Sequence, residues 1–319
     1  MHAAVVRSFD MPPRYETFQT PEPSGEHEIA VDVLAAGLHP RVRSGASGSH
    51  YTSTETLPLI PGVDGVGRCA DGRLLYFVAL DSAFGTMAER TVIDRRRAVP
   101  LPADADVPAV AAAMNPGMSS WVALRKRISF KSGQNVLVLG ATGNAGQMAV
   151  QIAKFLGAGH VAAAGRDAER LARLTSLGAD ETVSLTGGPE EIARALEAAG
   201  ADVDVVIDYL WGSATEQAIP ALVKGRAERS KPLWWIQIGS MAGTTITLPS
   251  AALRAANLQL LGSGQGSITT AGIVAELPEL ADQITAGTFA VDPLATPLGD
   301  VESAWNIPTA PGQRIVFTT

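Results

Sequence analysis

The order of apolar and polar positions divides the chain into two regimes. Up to about residue 115 the apolar residues come in short runs: His2 to Val6, Glu28 to Leu34, Gly65 to Cys69, Arg73 to Ala79 and Met87 to Ile93 read as strands. Turn-forming stretches separate them, at Pro12-Pro13, Pro21 to Gly25, Ser44 to Ser49 and Pro61-Gly62. This is the pattern of a compact β domain with long loops, and such loops are often functional.

From Pro108 the period changes. An alanine-rich helical stretch, Val110 to Met114, meets Asn115-Pro116-Gly117, and a second helix is expected through Trp121 to Ile128. Asn135 to Leu139 reads as a short buried strand. Gly140, Gly143 and Gly146 mark a turn, and Gln147 to Leu156 reads as a helix with Met148 and Ile152 on one face. Strands at Gly159 to Ala164, Glu181 to Ser184, Val203 to Asp208 and Leu233 to Ile238 then alternate with helices at Ala168 to Leu177, Glu190 to Ala199 and Thr215 to Val223. Such alternation builds a parallel sheet with helices on both faces. After Leu258 to Leu261 and a glycine-rich connection, a helix over Thr270 to Ala286 and a strand at Arg314 to Phe317 are too little for a third domain. They are expected to return and complete the first.

Composition narrows the classes. The 319 residues suffice for two domains, and 46% are hydrophobic, yet no segment approaches the roughly 18 uninterrupted apolar residues of a membrane span. The start, MHAAVVRSFD, lacks a basic stretch followed by an apolar run, so no secretory signal is expected. The single cysteine, Cys69, excludes an internal disulfide framework and a multi-thiolate metal site, which makes a cytoplasmic location the default. A net charge of −7 argues against a nucleic-acid partner. The basic runs Arg95 to Arg97 and Arg125 to Arg127 read as solvated surface, the second closing a helix whose negative dipole end suits cations.

The candidate chemistry starts at the glycine turn. A strand that ends in glycines and opens into a helix presents free N–H groups and a positive dipole end, where a pyrophosphate can be held. Gly140, Thr142, Gly143, Asn144, Ala145 and Gly146 are the candidate contacts, although G-x-x-G-x-x-G taken alone is weak evidence. At the end of the next strand, Gly165 leaves room while Arg166 and Arg170 supply guanidinium groups suited to a 2′-phosphate, which favours NADP(H) over NAD. Asp167 reads either as the N-cap of the following helix or as a ribose acid, and the cap is preferred.

Five stretches in order resemble the medium-chain dehydrogenase/reductase superfamily, in particular its zinc-free quinone oxidoreductase branch. They are Ala35 to Pro40, Leu57 to Gly67, Gly85 to Glu89, Gly140 to Gly146 and Leu177 to Asp180. The resemblance implies an α/β chain with a Rossmann doubly wound parallel sheet at 116–262 and a GroES-like β-rich catalytic domain at 1–115, completed by a return segment at 263–319. It further implies a substrate cleft between the domains, reduction of a quinone, enone or related carbonyl by NADPH, and commonly a homodimer.

Zinc-dependent relatives take a Cys from the position of His39 and a His from a Gly-His-Glu motif that aligns with Gly62-Val63-Asp64. Their third ligand comes from the stretch aligned with Asn115 to Gly117, where no Cys stands. No metal is therefore expected. His39 occupies the place of the branch's usual Asn and is a candidate hydrogen-bond or proton donor, with a satisfied loop residue as the equal alternative. Tyr51 is a second candidate donor, with loop anchoring slightly preferred. Asp64 is expected to support the Pro61-Gly62 turn, and Arg41 and Arg43 to be solvated. Ser119 matches a family Thr on the nicotinamide side or caps a helix, and Ile238, Gly239 and Ser240 are expected to wall the nicotinamide. A cofactor-binding sensor without turnover and an alcohol dehydrogenase are the competing readings.

Overall fold

Short apolar runs bounded by turn residues pair here as antiparallel strands. β1 (His2–Val5) and β2 (Arg14–Thr17) form a two-stranded ribbon. β3 (Glu28–Gly37) is the longest strand and pairs antiparallel with β4 (Asp64–Arg68). β5 (Leu74–Val78) continues the sheet from β4, β6 (Arg90–Asp94) pairs with β3, and β7 (Ala98–Pro100) pairs with β5. Val31, Val33, Leu75, Phe77 and Ile93 form one apolar cluster of this sheet. Between β3 and β4 lies α1 (Pro40–Ala46), with Pro40 opening the helix where its missing N–H costs nothing. The protein is described from a computed structural model covering residues 1–319 except 51, 54, 55, 80, 81 and 311.

A proline inside a helix removes a backbone bond and crowds the preceding turn, at a cost of about 3 kcal/mol. α2 (Val107–Val122) nevertheless runs through Pro116, so the two helices expected on either side of Asn115-Pro116-Gly117 are one. Met114 and Trp121 are fully buried along it. Each such side chain contributes roughly 1.5–3 kcal/mol, enough together to offset the proline. The helix continues as a π-helical turn over Ala123–Arg127.

The alternating region folds as its pattern predicts. β8 (Asn135–Leu139), α3 (Asn144–Phe155), β9 (His160–Gly165), α4 (Ala168–Leu174), β10 (Glu181–Ser184), α5 (Pro189–Ala199), β11 (Val205–Asp208), α6 (Gly212–Gly225), β12 (Leu233–Gln237) and β13 (Leu258–Gly262) follow in sequence. The six strands are all parallel, in the order β10-β9-β8-β11-β12-β13. Val136 to Leu139, Val161 to Ala164 and Val205 to Ile207 are buried, as strands covered on both faces must be. The chain winds outward from β8 in one direction and then from β11 in the other. The carboxyl ends of these two neighbours thus form the switch point where such sheets bind ligands.

The helix expected over Thr270 to Ala286 is two, Thr270–Val274 and Leu277–Thr285, because Pro278 has no N–H to donate to the Val274 carbonyl four residues back and sits instead in the first turn of a new helix. β14 (Asp292–Pro297) and β15 (Gln313–Thr318) then join the first sheet, with Val316 opposite Gly37 on β3. Contacts along the chain define two units, Met1–Asn115 with Val274–Thr319, and Pro116–Ile273. No helix among the described residues is long and apolar enough to cross a membrane.

Candidate active site and cofactor site

At the carboxyl end of β8 the chain turns on Gly140 at φ +84, a conformation side chains disfavour, with Leu210 packed over it. A Cβ on Gly146 would lie 2.3 Å from the Gly140 oxygen, so the first turn of α3 seats directly on the strand end. Gly143 is the N-cap of α3 and contributes no side-chain cap. The helix start therefore faces outward as backbone, with the positive end of the dipole behind it. This is a cradle for an anion made without any charged side chain.

The end of β9 adds charge beside it. Gly165 is lined by the Thr142 side chain, which a Cβ there would meet at 2.5 Å, so its missing side chain lets the two turns close on each other. Asp167 is the N-cap of α4 and accepts from the Arg170 backbone N–H at 3.0 Å. Its second oxygen lies 3.3 Å from Arg170 Nε, which commits this carboxylate to the helix start. Arg166 is exposed at the same strand end.

The ends of β11 and β12 supply the opposite wall. Asp208 is fully buried and accepts from the Leu210 and Trp211 backbone N–H groups, from Thr215 Oγ1 at 2.6 Å and from Trp235 Nε1 at 3.0 Å. Its carbonyl accepts from the Ile238 and Gly239 N–H groups, tying the two strand ends together. Trp211 is forced to φ 53, the sole non-glycine positive φ among the described residues. Such strain costs on the order of 1–3 kcal/mol and gathers at ligand sites. The Tyr209 hydroxyl lies 2.8 Å from Ser119 Oγ, which itself donates to the Pro116 carbonyl at 2.7 Å. Burial pushes the Tyr209 pKa up to about 12, with its hydrogen-bond contacts to Ser119 and Ser120 opposing.

In the β-rich unit, His39 and Asp64 are each 2% exposed, and His39 Nε2 lies 3.0 Å from Asp64 Oδ1. A carboxylate only accepts, so Nε2 carries the proton. Tyr76 donates its hydroxyl to Asp64 Oδ2 at 3.0 Å, and Thr86 Oγ1 donates to the Asp64 carbonyl at 2.8 Å. Burial lowers the His39 pKa, the Asp64 bond and charge oppose this, and Arg314 adds to the lowering. The ring is neutral near pH 7, with its Nε2–H engaged as a hydrogen bond to Asp64. The expected proton-donor role of His39 thus reduces to an acceptor at Nδ1. Asp64 does more than support a turn: it is the hub of this cluster. Arg314 is buried with Nε and Nη1 lacking hydrogen-bond partners among the described residues, and burial lowers its pKa to about 10 against the pull of Asp64.

Beneath α1 a cavity of about 380 Å³ is lined by Arg41, His50, Thr56, Ile60 and Gly62 among others. Arg41 Nη1 lies 3.1 Å from a His50 ring nitrogen and donates to Thr52 Oγ1 at 3.2 Å. Burial and Arg41 lower the His50 pKa to about 4. Arg43 is half-buried, stacks over Trp305 at 5.7 Å and donates to its carbonyl. Neither arginine is the solvated side chain expected: His50 and Thr52 engage Arg41, and Trp305 from the return segment covers Arg43. Tyr51 lies outside the described residues. No group of three or more His, Cys, Asp or Glu side chains placed to hold a metal occurs among the described residues.

A sequence profile of the family described as "Zinc-binding dehydrogenase" matches residues 145–284. Over 99% of its length and 99% of the relative's, the chain is 31% identical to a probable NADPH-dependent quinone reductase of Emericella nidulans. The chain belongs to the medium-chain dehydrogenase/reductase superfamily, in its quinone-oxidoreductase-like branch. An NADPH-dependent alkenal/one oxidoreductase of Arabidopsis thaliana is 27% identical over 50% of the chain and 46% of its own length. The crystal structure of the quinone oxidoreductase from Thermus thermophilus, described also in complex with NADPH, superposes with a TM-score of 0.81 at 25% identity over all of both chains. The GroES-like and Rossmann parts of this superfamily are the β-rich and parallel-sheet units described above.

Within that superfamily fold, the candidate cofactor residues separate by strand end. Gly140 to Gly146 and Gly165 to Arg170 lie on adjacent strand ends, with Thr142 touching Gly165. Ile238 and Gly239 are bound to Asp208, while Ser240 is exposed just beyond. Ser119 sits inside α2 rather than capping a helix, and Tyr209 joins it. Asp208 to Gly212 stand at a carboxyl strand end, where the strand–helix alternation places ligands, but the Ser119–Tyr209 contact, the strain at Trp211 and the hydrogen-bond hub at Asp208 are not legible in the sequence. A buried Asp followed by a Trp-Gly helix start is their faint sequence mark.

Proposed function

We propose that the chain is an NADPH-dependent oxidoreductase that reduces a quinone, enone or related carbonyl compound without zinc. The observation that carries this is the cradle at the switch point: a glycine strand end, an α3 start capped by no side chain, and two arginines beside it. Bound there, NADPH supplies the hydride. Asn144 to Gly146 hold its pyrophosphate through backbone N–H groups, with the Gly143 N–H, also expected there, donated to the Gly140 carbonyl at 3.2 Å. Arg166 and Arg170 hold the 2′-phosphate, since Asp167 is engaged at the start of α4 and is not free to select NAD. Ser119, Ile238, Gly239 and Ser240 wall the nicotinamide, and Tyr209 fixes Ser119.

The carbonyl compound is held at the cavity beneath α1, whose volume falls within the usual 300–1,000 Å³ of small-molecule sites. His39, the N-cap residue of α1, offers Nδ1 of a neutral ring as an acceptor, and Tyr51 is the hydroxyl candidate from the sequence. The absence of zinc rests on donor chemistry: His39 spends its Nε2 proton on Asp64, and Val63 stands where a ligand would be needed. We further propose a homodimer, supported by β13, which among the described residues is an edge strand paired with β12, and by half-buried Leu260 on it. A cytoplasmic location is supported by the single cysteine. The test is a panel of quinones and enones mixed with protein and NADPH, followed by loss of NADPH absorbance. Turnover on at least one compound, faster with NADPH than NADH, is expected. NADPH binding with no turnover across the panel would overturn the reading.

A further inference from the structure

The glycine cradle occupies the carboxyl edge of the parallel sheet, but the most concentrated positive charge of this unit lies at the opposite edge. Gln134, Asp204 and Pro232 immediately precede β8, β11 and β12, and they line a cavity of about 550 Å³. Around it stand Arg125, Lys126 and Arg127 from the π-helical turn, Lys131 from the next loop and Lys231 from the loop before β12. Five cations against the single carboxylate of Asp204 leave this lining net +4 on a chain of net −7, so the rest of the molecule is net −11.

Closing a helix end does not account for that charge. The carboxyl end of a helix carries about half a negative charge, which leaves more than three positive charges over. Several of the cations are also held in place. Arg125 lies 4.9 Å over the Trp121 ring, Arg127 Nε donates to the Gly262 carbonyl at 2.8 Å, and Lys231 Nζ sits 2.5 Å from Asp204 Oδ1. Asp204 is itself fixed by the Asn135 backbone N–H at 3.0 Å. Half-exposed Trp234 and Pro232 provide an apolar wall.

We infer that this cavity is a second anion site, one that takes a small phosphate or pyrophosphate ester with its phosphates on the cations and its organic part against Trp234. The acidity of the remaining surface disfavours an extended polyanion such as nucleic acid or an anionic membrane, because either would face net negative charge beyond the rim. A concave cavity of limited volume suits a small ligand. The site stands apart from the dinucleotide cradle by the length of β8, roughly 16 Å for five residues. Both can be filled together.

The test is calorimetric titration of the full chain with inorganic pyrophosphate at low salt, with and without saturating NADPH. The expected result is a single site whose affinity survives NADPH and weakens with added salt. It should fall at least about tenfold in a Lys126→Ala/Lys131→Ala double variant, both positions being exposed, and be unchanged in Arg14→Ala. Absence of binding to millimolar pyrophosphate, equal affinity in the double variant, or displacement by NADPH would each overturn the assignment. Displacement would mean that pyrophosphate was occupying the glycine cradle. The lysine comparison is independent of turnover, so it stands even if no carbonyl compound is reduced.

Discussion

The strand-end cradle and the His39–Asp64 cluster are built on opposite plans. The cradle is a backbone object: Gly140, Gly143 and Gly146 are close in sequence, and they act through what they lack. The cluster is a side-chain object, with His39 from the end of β3, Asp64 from β4, Tyr76 from β5 and Arg314 from β15 converging from distant segments. The cradle leaves its helix start and Arg166 open to a ligand. The cluster is closed: Asp64 takes the His39 and Tyr76 donors, while buried Arg314 keeps Nε and Nη1 without a partner among the described residues. Openness therefore marks where binding energy is available, while buried mutual engagement marks where side chains are fixed in place.

Gly146→Val strikes the backbone plan hardest. Its Cβ would fall on the Gly140 carbonyl and the Ala141 Cα, both backbone atoms that cannot swing away. The variant should lose about 3 kcal/mol in chemical denaturation and lose NADPH affinity by more than about 100-fold, some 2.7 kcal/mol of binding. Wild-type affinity would show that the seat of α3 does not matter. Asp64→Ala is the matching strike on the side-chain plan. It strands the Tyr76 hydroxyl and the His39 N–H in the interior, at about 3 kcal/mol together. Asp64→Asn, which keeps one acceptor, should recover part of that in the same denaturation series.

A smaller effect separates the two cofactors. Arg166→Ala should weaken NADPH binding about tenfold, or 1.4 kcal/mol, and leave NADH nearly unchanged in fluorescence titrations. Equal losses would remove Arg166 from the 2′-phosphate. The smallest effect is on pH. His39 and His50 both have lowered folded pKa values, so the unfolded chain takes up their protons first. Their contribution to stability is complete above about pH 6.5, the usual histidine value. It is lost as pH falls through the folded values, for His50 near pH 4. The melting temperature should drop across that window and drop less in His50→Gln. A rise in stability on acidification would reverse the sign.

Strand and helix order along the parallel sheet was legible because strands buried on both faces leave continuous apolar runs, and Glu181–Ser184 coincides with its sequence reading. α2 was misread at Pro116 because local propensity was overridden by burial of Met114 and Trp121, which a pattern does not price. β2, β7 and β14 were missed because they are short and largely exposed, with little apolar signal. Among the site residues, the glycines and Asp167 announce themselves through local rules of turn and cap. The bond from His39 to Asp64 and the contact between Ser119 and Tyr209 join residues far apart in sequence. The strain at Trp211 is a property of packing rather than of composition.

Hydride transfer from NADPH in this cradle to a carbonyl compound can be followed with a deuterium label, carried from C4 of the nicotinamide into a simple α,β-unsaturated ketone and read by mass spectrometry and NMR. One deuterium is expected at the β-carbon of the saturated product, delivered from one face of the nicotinamide, and far faster from labelled NADPH than from labelled NADH. Tight NADPH binding with no label in any product, or product that carries only solvent hydrogen, would contradict it.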